Sequence, residues 1–547
     1  MKDKDFFYWL INFCVLLGFL IIFYVLVDLI VIRGTYYRGL SLDNRIAESK
    51  IPAARGRIMD RKGRVIAESV YQYFKVVDGK RVYDDVGEFD GLKFEGNDLA
   101  FELRRKYPYG ESSAFVTGYV NKTGEEDLAK DKCVRSLLAD DWLGRGGAEA
   151  LFECKLRGEA GRRLVEVDAK REYLRELGRV DPVAGDDINL SVDAYWQEKV
   201  YELVKERKVA VIISDVKTGQ LLVMVSSPSF DPNVFSFSRN NQLILEMLSD
   251  DTNYPLLNRA IATRYHPGSV FKLVVATAGL EEKVIDGNSL IEDTGVITIG
   301  DYSYNNWLWT KRGAVDGMVD VVKGLQRSND IFFYRLGERL GADNIYKWAV
   351  KFGYDSKSGL GFAGEVDSIV PNPDWKMETK NERWFLGNTY HLAIGQGDLA
   401  VNVAQVNKMT SAVANGGRLC QLSVEKGKED CVNLPISKQN LEIVVEGMER
   451  ACNEGGTAWP LFNFKTNIAC KTGTAEVGDG SQDTHAWLTA FAPVEEPEIA
   501  ITVMVERGGE GSDVAAPIVG DILKMWFDET ETKVPRYASD GKTVVYE

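Results

Sequence analysis

The arrangement of apolar and polar positions changes character along the chain, and each change predicts an element. The stretch FFYWLINFCVLLGFLIIFYVLV, Phe6 to Val27, carries no charge and would extend about 33 Å as a helix, enough to cross the hydrocarbon core of a bilayer. No A-x-A-like cleavage site follows it; Asp28, Leu29 and Ile30 lead into Arg33, so it predicts one uncleaved transmembrane anchor. Lys2 and Lys4 on one side are matched by Arg33 and Arg38 on the other, which leaves the flanking charges silent on orientation. From there to about Gly185 the chain is mixed and charged. IPAARGRIMDRKGRVIAES reads as strand and turn, and GGAEALFECKLRG has helical spacing. VAGDDINLSVDAYWQEKVYELV predicts a strand running into an amphipathic helix, and VAVIISDVKTGQLLVMVSS, two apolar runs around a polar turn, predicts a β-hairpin. In YHPGSVFKLVVATAGLEE a Pro-Gly turn delivers Ser269 to the start of an apolar segment of helical length.

With 547 residues and 45% hydrophobic content, the chain is long enough for more than one packed domain. Its formal net charge of -15 argues against a nucleic-acid partner, which a basic patch or stripe would mark. The seven cysteines form no C-x-x-C pair, and His266, His391 and His485 lack metal-ligand spacing, so no zinc chemistry is expected. Outside the anchor, Cys133, Cys154, Cys420, Cys431, Cys452 and Cys470 are an even set that permits disulfides, although small buried thiols are the simpler reading. CQLSVEKGKEDC has two short arms around a polar, Gly-containing turn, which predicts a disulfide between Cys420 and Cys431.

Two short motifs of serine acyl-transfer enzymes, S-x-x-K and K-T-G, occur repeatedly. S-x-x-K begins at Ser214, Ser269, Ser423 and Ser539, and K-T-G at Lys122, Lys217 and Lys471. Context separates them. Ser214 lies on a predicted strand and Lys217-Thr218-Gly219 at its hairpin turn; Lys122 precedes a polar helix; Ser539 and Lys542 fall in a polar tail. Only Ser269 and Lys272 start a helix, where residues three apart share a face and the Lys272 amine can reach the Ser269 hydroxyl. Burial would favour the neutral amine, which can then take the serine proton, and the helix N-terminus would favour the developing oxyanion. Downstream, in GLQRSNDIFFYRLG, Ser328, Asn329 and Asp330 precede an aromatic helix, and in NIACKTGTAEV Lys471, Thr472, Gly473 and Thr474 end an apolar run. The order S-x-x-K, S-x-N/D, K-T-G is that of the active-site serine penicillin-recognising enzymes, here with Asp330 in the second motif.

On these residues the chain resembles the class B penicillin-binding proteins, peptidoglycan D,D-transpeptidases. RGRIMDRKG is similar to the family's membrane-proximal motif, with Lys62 where Asn is usual, and GAEALFECKLRGEAG resembles its pedestal. GDDINLSVDAYWQ, SSPSFDPN, NRAIATRYHPGSVFK, AIGQGDLAVNVAQ and THAWLTAFAP resemble further blocks, as does the hairpin around Ser214. The resemblance implies an α+β chain: a tail (1–5), the anchor (6–32), an elongated pedestal of the dimerisation type (33–185), and a transpeptidase domain (186–547) with an antiparallel sheet packed between helices, as in serine β-lactamases. It implies Ser269 as acylated nucleophile, Lys272 as general base, and Ser328 and Asp330 as proton-shuttling and orienting catalytic groups. Asn329, Lys471, Thr472, Gly473 and Thr474 would bind substrate, with the amides of Ser269 and Thr474 as oxyanion hole.

The substrates so implied are stem peptides of peptidoglycan, with β-lactams as inhibitors, no cofactor, and an extracytoplasmic catalytic domain on the cytoplasmic (inner) membrane. A transpeptidase without a polymerase domain further implies a glycosyltransferase partner of the SEDS family and proteins of an elongation complex. Asp330, FVTGYV and HAWLTAFAP favour the elongation type, penicillin-binding protein 2, over the septal division type; a catalytically silent scaffold or sensor is the alternative from another class. Some elongation enzymes carry a metal-binding insertion before the second motif, but residues 290–327 contain neither His nor Cys, so no metal is expected.

Overall fold

The computed structural model describes residues 2–37, 45–77, 80–83, 99–135, 137–168, 173–237, 241–462, 464–528, 535–537 and 544–546. Ser539 and Lys542 lie outside the described residues. Helix α1, Lys2–Val27, contains the whole uncharged run and continues into a wider helical turn, Asp28–Ile32. From Asp5 onward its side chains are exposed nearly throughout. Such an apolar surface is stable in lipid rather than water, because only a helix satisfies every backbone polar group within its own segment.

The chain divides into two compact units that interleave in sequence, so that the expected pedestal range is shared between them. The first comprises residues 1–55, 72–103 and 157–186, and the second 56–71, 104–156 and 187–547. In the first unit, strands β1 (Ile46–Ile51), β2 (Gly161–Val167) and β3 (Tyr173–Val180) form an antiparallel sheet in the order β1-β2-β3. Within the second unit, residues 56–71 are tied to the segment after Asp186 by charge. Arg57 forks onto Asp187, with its Nη2 at 2.7 Å, while the buried Arg64 donates to Asp60 at 3.2 Å and Asp193 at 2.7 Å. Buried charges persist only when so paired and hydrogen-bonded.

The core of the second unit is a five-stranded, wholly antiparallel sheet. Strands β4 (Val209–Asp215) and β5 (Leu221–Ser227) form the expected hairpin, and with β8 (Ala469–Glu476), β9 (Thr484–Ala492) and β10 (Ile499–Val505) they give the order β5-β4-β10-β9-β8. Alternate residues of a strand point to opposite faces. Accordingly Val209, Val211 and Ile213 join a cluster with Ile518, Val519 and Ile522 of the C-terminal helix, while Ala210 and Ile212 join one with Phe271, Leu273 and Met409. Both faces are covered, which is why VAVIIS is a continuous apolar run instead of an alternating one.

The elements that carry the site complete this unit. Helix α2 (Lys272–Glu281) packs on α3 (Asp330–Leu340), and between them in sequence strands β6 (Ile291–Asp293) and β7 (Gly317–Val319) pair antiparallel. Helices α4 (Leu386–Ala393), α5 (Val403–Ala414), α6 (Lys438–Ala451) and α7 (Ala516–Asp528) follow. The apolar anchor helix, the strand-built first unit and the second unit with its antiparallel sheet between helices match the expected fold class.

Three disulfides are present, Cys133–Cys154, Cys420–Cys431 and Cys452–Cys470. The second is the expected one, where Cys420 and Cys431 stand opposite each other in a short antiparallel pair. The other two correct the reading of those cysteines as free buried thiols. Each joins segments that only the tertiary fold brings together.

Candidate active site

Ser269 sits on a single 3-10 turn, Gly268–Phe271, that runs directly into α2. Gly268 has φ 56°, and a side chain there would come within 2.8 Å of the Thr474 carbonyl. Gly395 is tighter still: a Cβ would lie 2.0 Å from the Gly268 carbonyl, whose amide donates to Gly395 at 2.9 Å. The AIGQG block thus fixes the nucleophile turn by backbone-to-backbone contact that only glycine permits. On the opposite side Gly473 faces Pro267 and Val270, and Gly511 is pressed against Gly473.

Ser269 opens onto a cleft of about 900 Å³, also lined by Trp307, Ser328, Asp330, Gln396, Thr457, Thr472, Gly473, Thr474 and Glu510. Strand β8 is the edge of its sheet, the position at which an extended peptide can be laid alongside by strand addition. The same strand puts Lys471 opposite Thr489 and Gly473 opposite Trp487.

The buried polar groups meet behind Ser269. Lys272, fully buried, donates from Nζ to Asp330 Oδ1 at 2.7 Å, to the Ser328 carbonyl at 2.8 Å and to Ser328 Oγ at 3.4 Å. Lys471, also fully buried, donates to the same Ser328 Oγ at 2.9 Å and to the Thr472 carbonyl at 3.0 Å. Ser328 is held at φ 54°, a left-handed conformation uncommon for a residue with a side chain. That twist points its hydroxyl between the two amines.

Burial lowers the pKa of Lys272 against the opposing pull of the Asp330 carboxylate. Lys471 is driven well below the ordinary lysine range, by burial first and by the neighbouring Lys272 second. Two buried ammonium groups around one hydroxyl repel each other, so this arrangement favours keeping one amine neutral.

Two expectations change. The Lys272 amine faces Asp330 and Ser328, and among the described residues no hydrogen bond joins it to Ser269 Oγ. The 3-10 turn that carries the serine keeps residues three apart on one face; it is the Asp330 carboxylate and the Ser328 oxygens, arriving from another segment, that take up the amine. Asn329 does not line the cleft: it is fully buried, its Oδ1 accepts from the Phe332 amide at 2.9 Å to cap α3, and its Nδ2 donates to Asp293 at 2.8 Å and Asp316 at 3.0 Å. Every side-chain group of Asn329 is thereby used away from the substrate.

The competing motifs lack this setting. Ser214 is fully buried on β4 and donates to Asn407 at 2.6 Å, while Gly219, with φ 73°, closes the hairpin turn after Lys217. Lys122 lies at the end of strand Tyr119–Lys122, and Lys426 is exposed, donating to the Arg61 carbonyl at 2.7 Å.

Several contributors were not singled out from the motifs. Thr457 shares a hydrogen bond with Thr472 at 2.7 Å, and the Trp307 amide donates to Asp330 Oδ2 at 3.0 Å. Gly395 and Gln396 lay inside a recognised block, but nothing in that string tells which of its residues touch the cleft.

Residues 209–524 match the model of the penicillin-binding protein transpeptidase domain, and residues 80–190 that of the penicillin-binding protein dimerisation domain. The peptidoglycan D,D-transpeptidase MrdA of Acinetobacter baumannii is 32% identical over 464 residues, covering 80% of this chain and 68% of its own. A Helicobacter pylori penicillin-binding protein, PBP2, solved in complex with MreC, is similar with TM-score 0.76 and 27% identity, covering 88% of this chain and 98% of its own. A chain from a peptidoglycan synthase complex, described as coordinating polymerization and crosslinking, is similar with TM-score 0.79 and 27% identity, covering 95% of this chain and 98% of its own.

Proposed function

The chain belongs to the class B penicillin-binding proteins, combining their dimerisation and transpeptidase domains, and on that premise we propose that Ser269 is its acylated nucleophile. It is a peptidoglycan D,D-transpeptidase of the elongation type. The observation that carries the site assignment is the convergence of Lys272 and Lys471 on Ser328 Oγ beside Ser269.

Ser269 Oγ attacks the carbonyl of the D-Ala-D-Ala amide of a donor stem peptide, and its proton passes to neutral Lys272. Asp330 stabilises the ammonium that results. The amides of Ser269 and Thr474 stabilise the oxyanion. As the C–N bond breaks, Ser328, set between the two amines, relays a proton to the departing D-Ala. An amine of a second stem then attacks the ester, loses its proton to the same base, and returns Ser269 to its hydroxyl form. Thr472, Gly473 and Thr474 hold the donor along the edge strand, with Lys471 and Thr472 directed to its terminal carboxylate. β-Lactams acylate the same serine.

The boundaries 1–5, 6–32, 33–185 and 186–547 describe tail, anchor, pedestal and transpeptidase domain in this reading. The apolar helix anchors the chain in the cytoplasmic membrane, with the short tail 1–5 on the cytoplasmic side and the chain after the anchor outside. Three disulfides support that side, because they persist in oxidising compartments. The domains matched are a dimerisation and a transpeptidase domain, and in this reading the enzyme cross-links glycan made by a partner, for which a SEDS-family glycosyltransferase is proposed together with an MreC-like elongation protein. The names of the similar complexes support this. Labelling by a fluorescent penicillin that survives in Ser269→Ala would reject the site. Exchange of Phe6 to Val27 for an unrelated anchor should lower the partner's polymerisation while acylation persists; unchanged polymerisation would reject docking through the helix.

A further inference from the structure

The segment between the first two motifs leaves the core, passes beside the cleft and returns at residues 316–319. At its centre is Asp293, 3% exposed. Its Oδ1 accepts from the Gly295 amide at 2.8 Å, and its Oδ2 accepts from the Asp316 amide, Asn306 Nδ2 and Asn329 Nδ2, each at 2.8 Å. All of these donors are neutral. A carboxylate withdrawn from water costs several kcal/mol unless its lone pairs are filled, so a complete set of donors is the condition for keeping it there, and an apolar side chain would serve packing equally well.

What Asp293 holds is the second motif. Asn329 is the residue between Ser328 and Asp330, and its Nδ2 bridges Asp293 and Asp316. Asn306, fully buried, donates to Asp293 and accepts from the backbone amide of Asp330 at 3.2 Å. Asp316 in turn receives Arg327 Nε at 3.1 Å, one residue before Ser328. The motif is therefore gripped on both sides of Ser328, whose φ of 54° needs outside support. Asp293, Asn306 and Asn329 are absent from the cleft lining.

Resting on the transpeptidase reading, we infer that Asp293 is a positioning residue: through Asn306 and Asn329 it holds Ser328 and Asp330 in register with Lys272 and Lys471. The substitution that tests it is Asp293→Asn, which replaces an acceptor oxygen with a donor, so that in either orientation of the new carboxamide an N–H faces a donor that the carboxylate had accepted.

The test uses the full chain and the second-order rate of acylation by a fluorescent penicillin, followed against pH beside the thermal unfolding midpoint. D293N is expected to slow acylation roughly 10–100-fold, the scale of a small displacement of reacting groups, and to move the acid limb of the profile toward that of Asp330→Asn. Asn306→Ser, which keeps Asp293, is expected to act in the same direction and decides the matter if D293N does not fold. Ile522→Ala, in α7 and remote from the cleft, serves as a destabilised control and should keep the wild-type rate at temperatures where it is folded. Wild-type kinetics and profile in folded D293N, or in N306S, overturn this inference alone, as does an equal slowing in I522A. Absence of acylation in the unsubstituted chain overturns the transpeptidase reading beneath it.

Discussion

Lys272 Nζ lies 2.7 Å from Asp330 Oδ1, an ion pair formed with the lysine wholly removed from solvent and the carboxylate at the floor of the cleft. Burial lowers the lysine pKa and the carboxylate raises it, so Asp330 sets how much of the base is neutral at a given pH. In Asp330→Asn the upward pull is gone and the Lys272 pKa falls further. The acid limb of penicillin acylation should then move to lower pH, while loss of a charge-assisted bond of about 1.5–3 kcal/mol lowers the plateau roughly 10–100-fold. Stopped-flow acylation against pH reads both; an unchanged profile would contradict the assignment.

The two K-T-G lysines should separate cleanly. Lys471→Ala removes the amine bonded to Ser328 Oγ and is expected to slow acylation at least tenfold by the same arithmetic. Lys217→Ala truncates a hairpin-turn side chain whose backbone carbonyl, not its amine, receives Arg418, and should acylate at the wild-type rate. Equal losses would refute the distinction.

That distinction was legible in the sequence because local pattern determines it: an apolar run, a polar turn and an apolar run make a hairpin whatever motif overlaps the turn. The order of Ser269, Ser328 and Lys471 was legible for the same reason, each lying at the edge of a recognisable element. What the pattern did not carry is side-chain direction. Asn329 shares its motif with two groups that line the cleft yet turns inward, because Asp293 and Asp316 arrive from a separate pair of strands. Lys272 pairs with Asp330 across 58 residues of sequence, a relationship that no helical spacing encodes. The same holds for the cysteines: Cys420 and Cys431 face each other across a local turn, whereas Cys452 and Cys470 meet only where the end of α6 reaches the start of β8.

The disulfides make a stability prediction. They span 11, 18 and 21 residues, and loops of this size contribute about 3 kcal/mol each by constraint of the unfolded chain. Peptide mapping without reductant should recover all three linked pairs, and a Cys452→Ala, Cys470→Ala double variant should unfold about 2–4 kcal/mol more easily in denaturant. Free thiols at these positions would contradict the pairing.

His485 predicts how stability depends on pH. Burial, foremost, holds its pKa down to about 4 against an ordinary 6.5, and its Nδ1 accepts from the Arg507 amide at 3.3 Å, a bond only the unprotonated nitrogen can take. Between those values the unfolded chain binds a proton that the folded chain refuses. The stabilisation is therefore complete above pH 6.5 and is lost as pH falls toward 4, on the order of 3 kcal/mol in total. Thermal unfolding should show this decline, and His485→Gln should flatten it; an identical slope in both proteins would show that other groups are responsible.

The central claim is that Ser269, of the four serines that begin an S-x-x-K, is the nucleophile. Mass spectrometry of the penicillin-treated full chain tests it most directly. The account predicts one adduct, on the peptide carrying Ser269, and none in Ser269→Ala. An adduct on Ser214, or acylation that persists in Ser269→Ala, would contradict it.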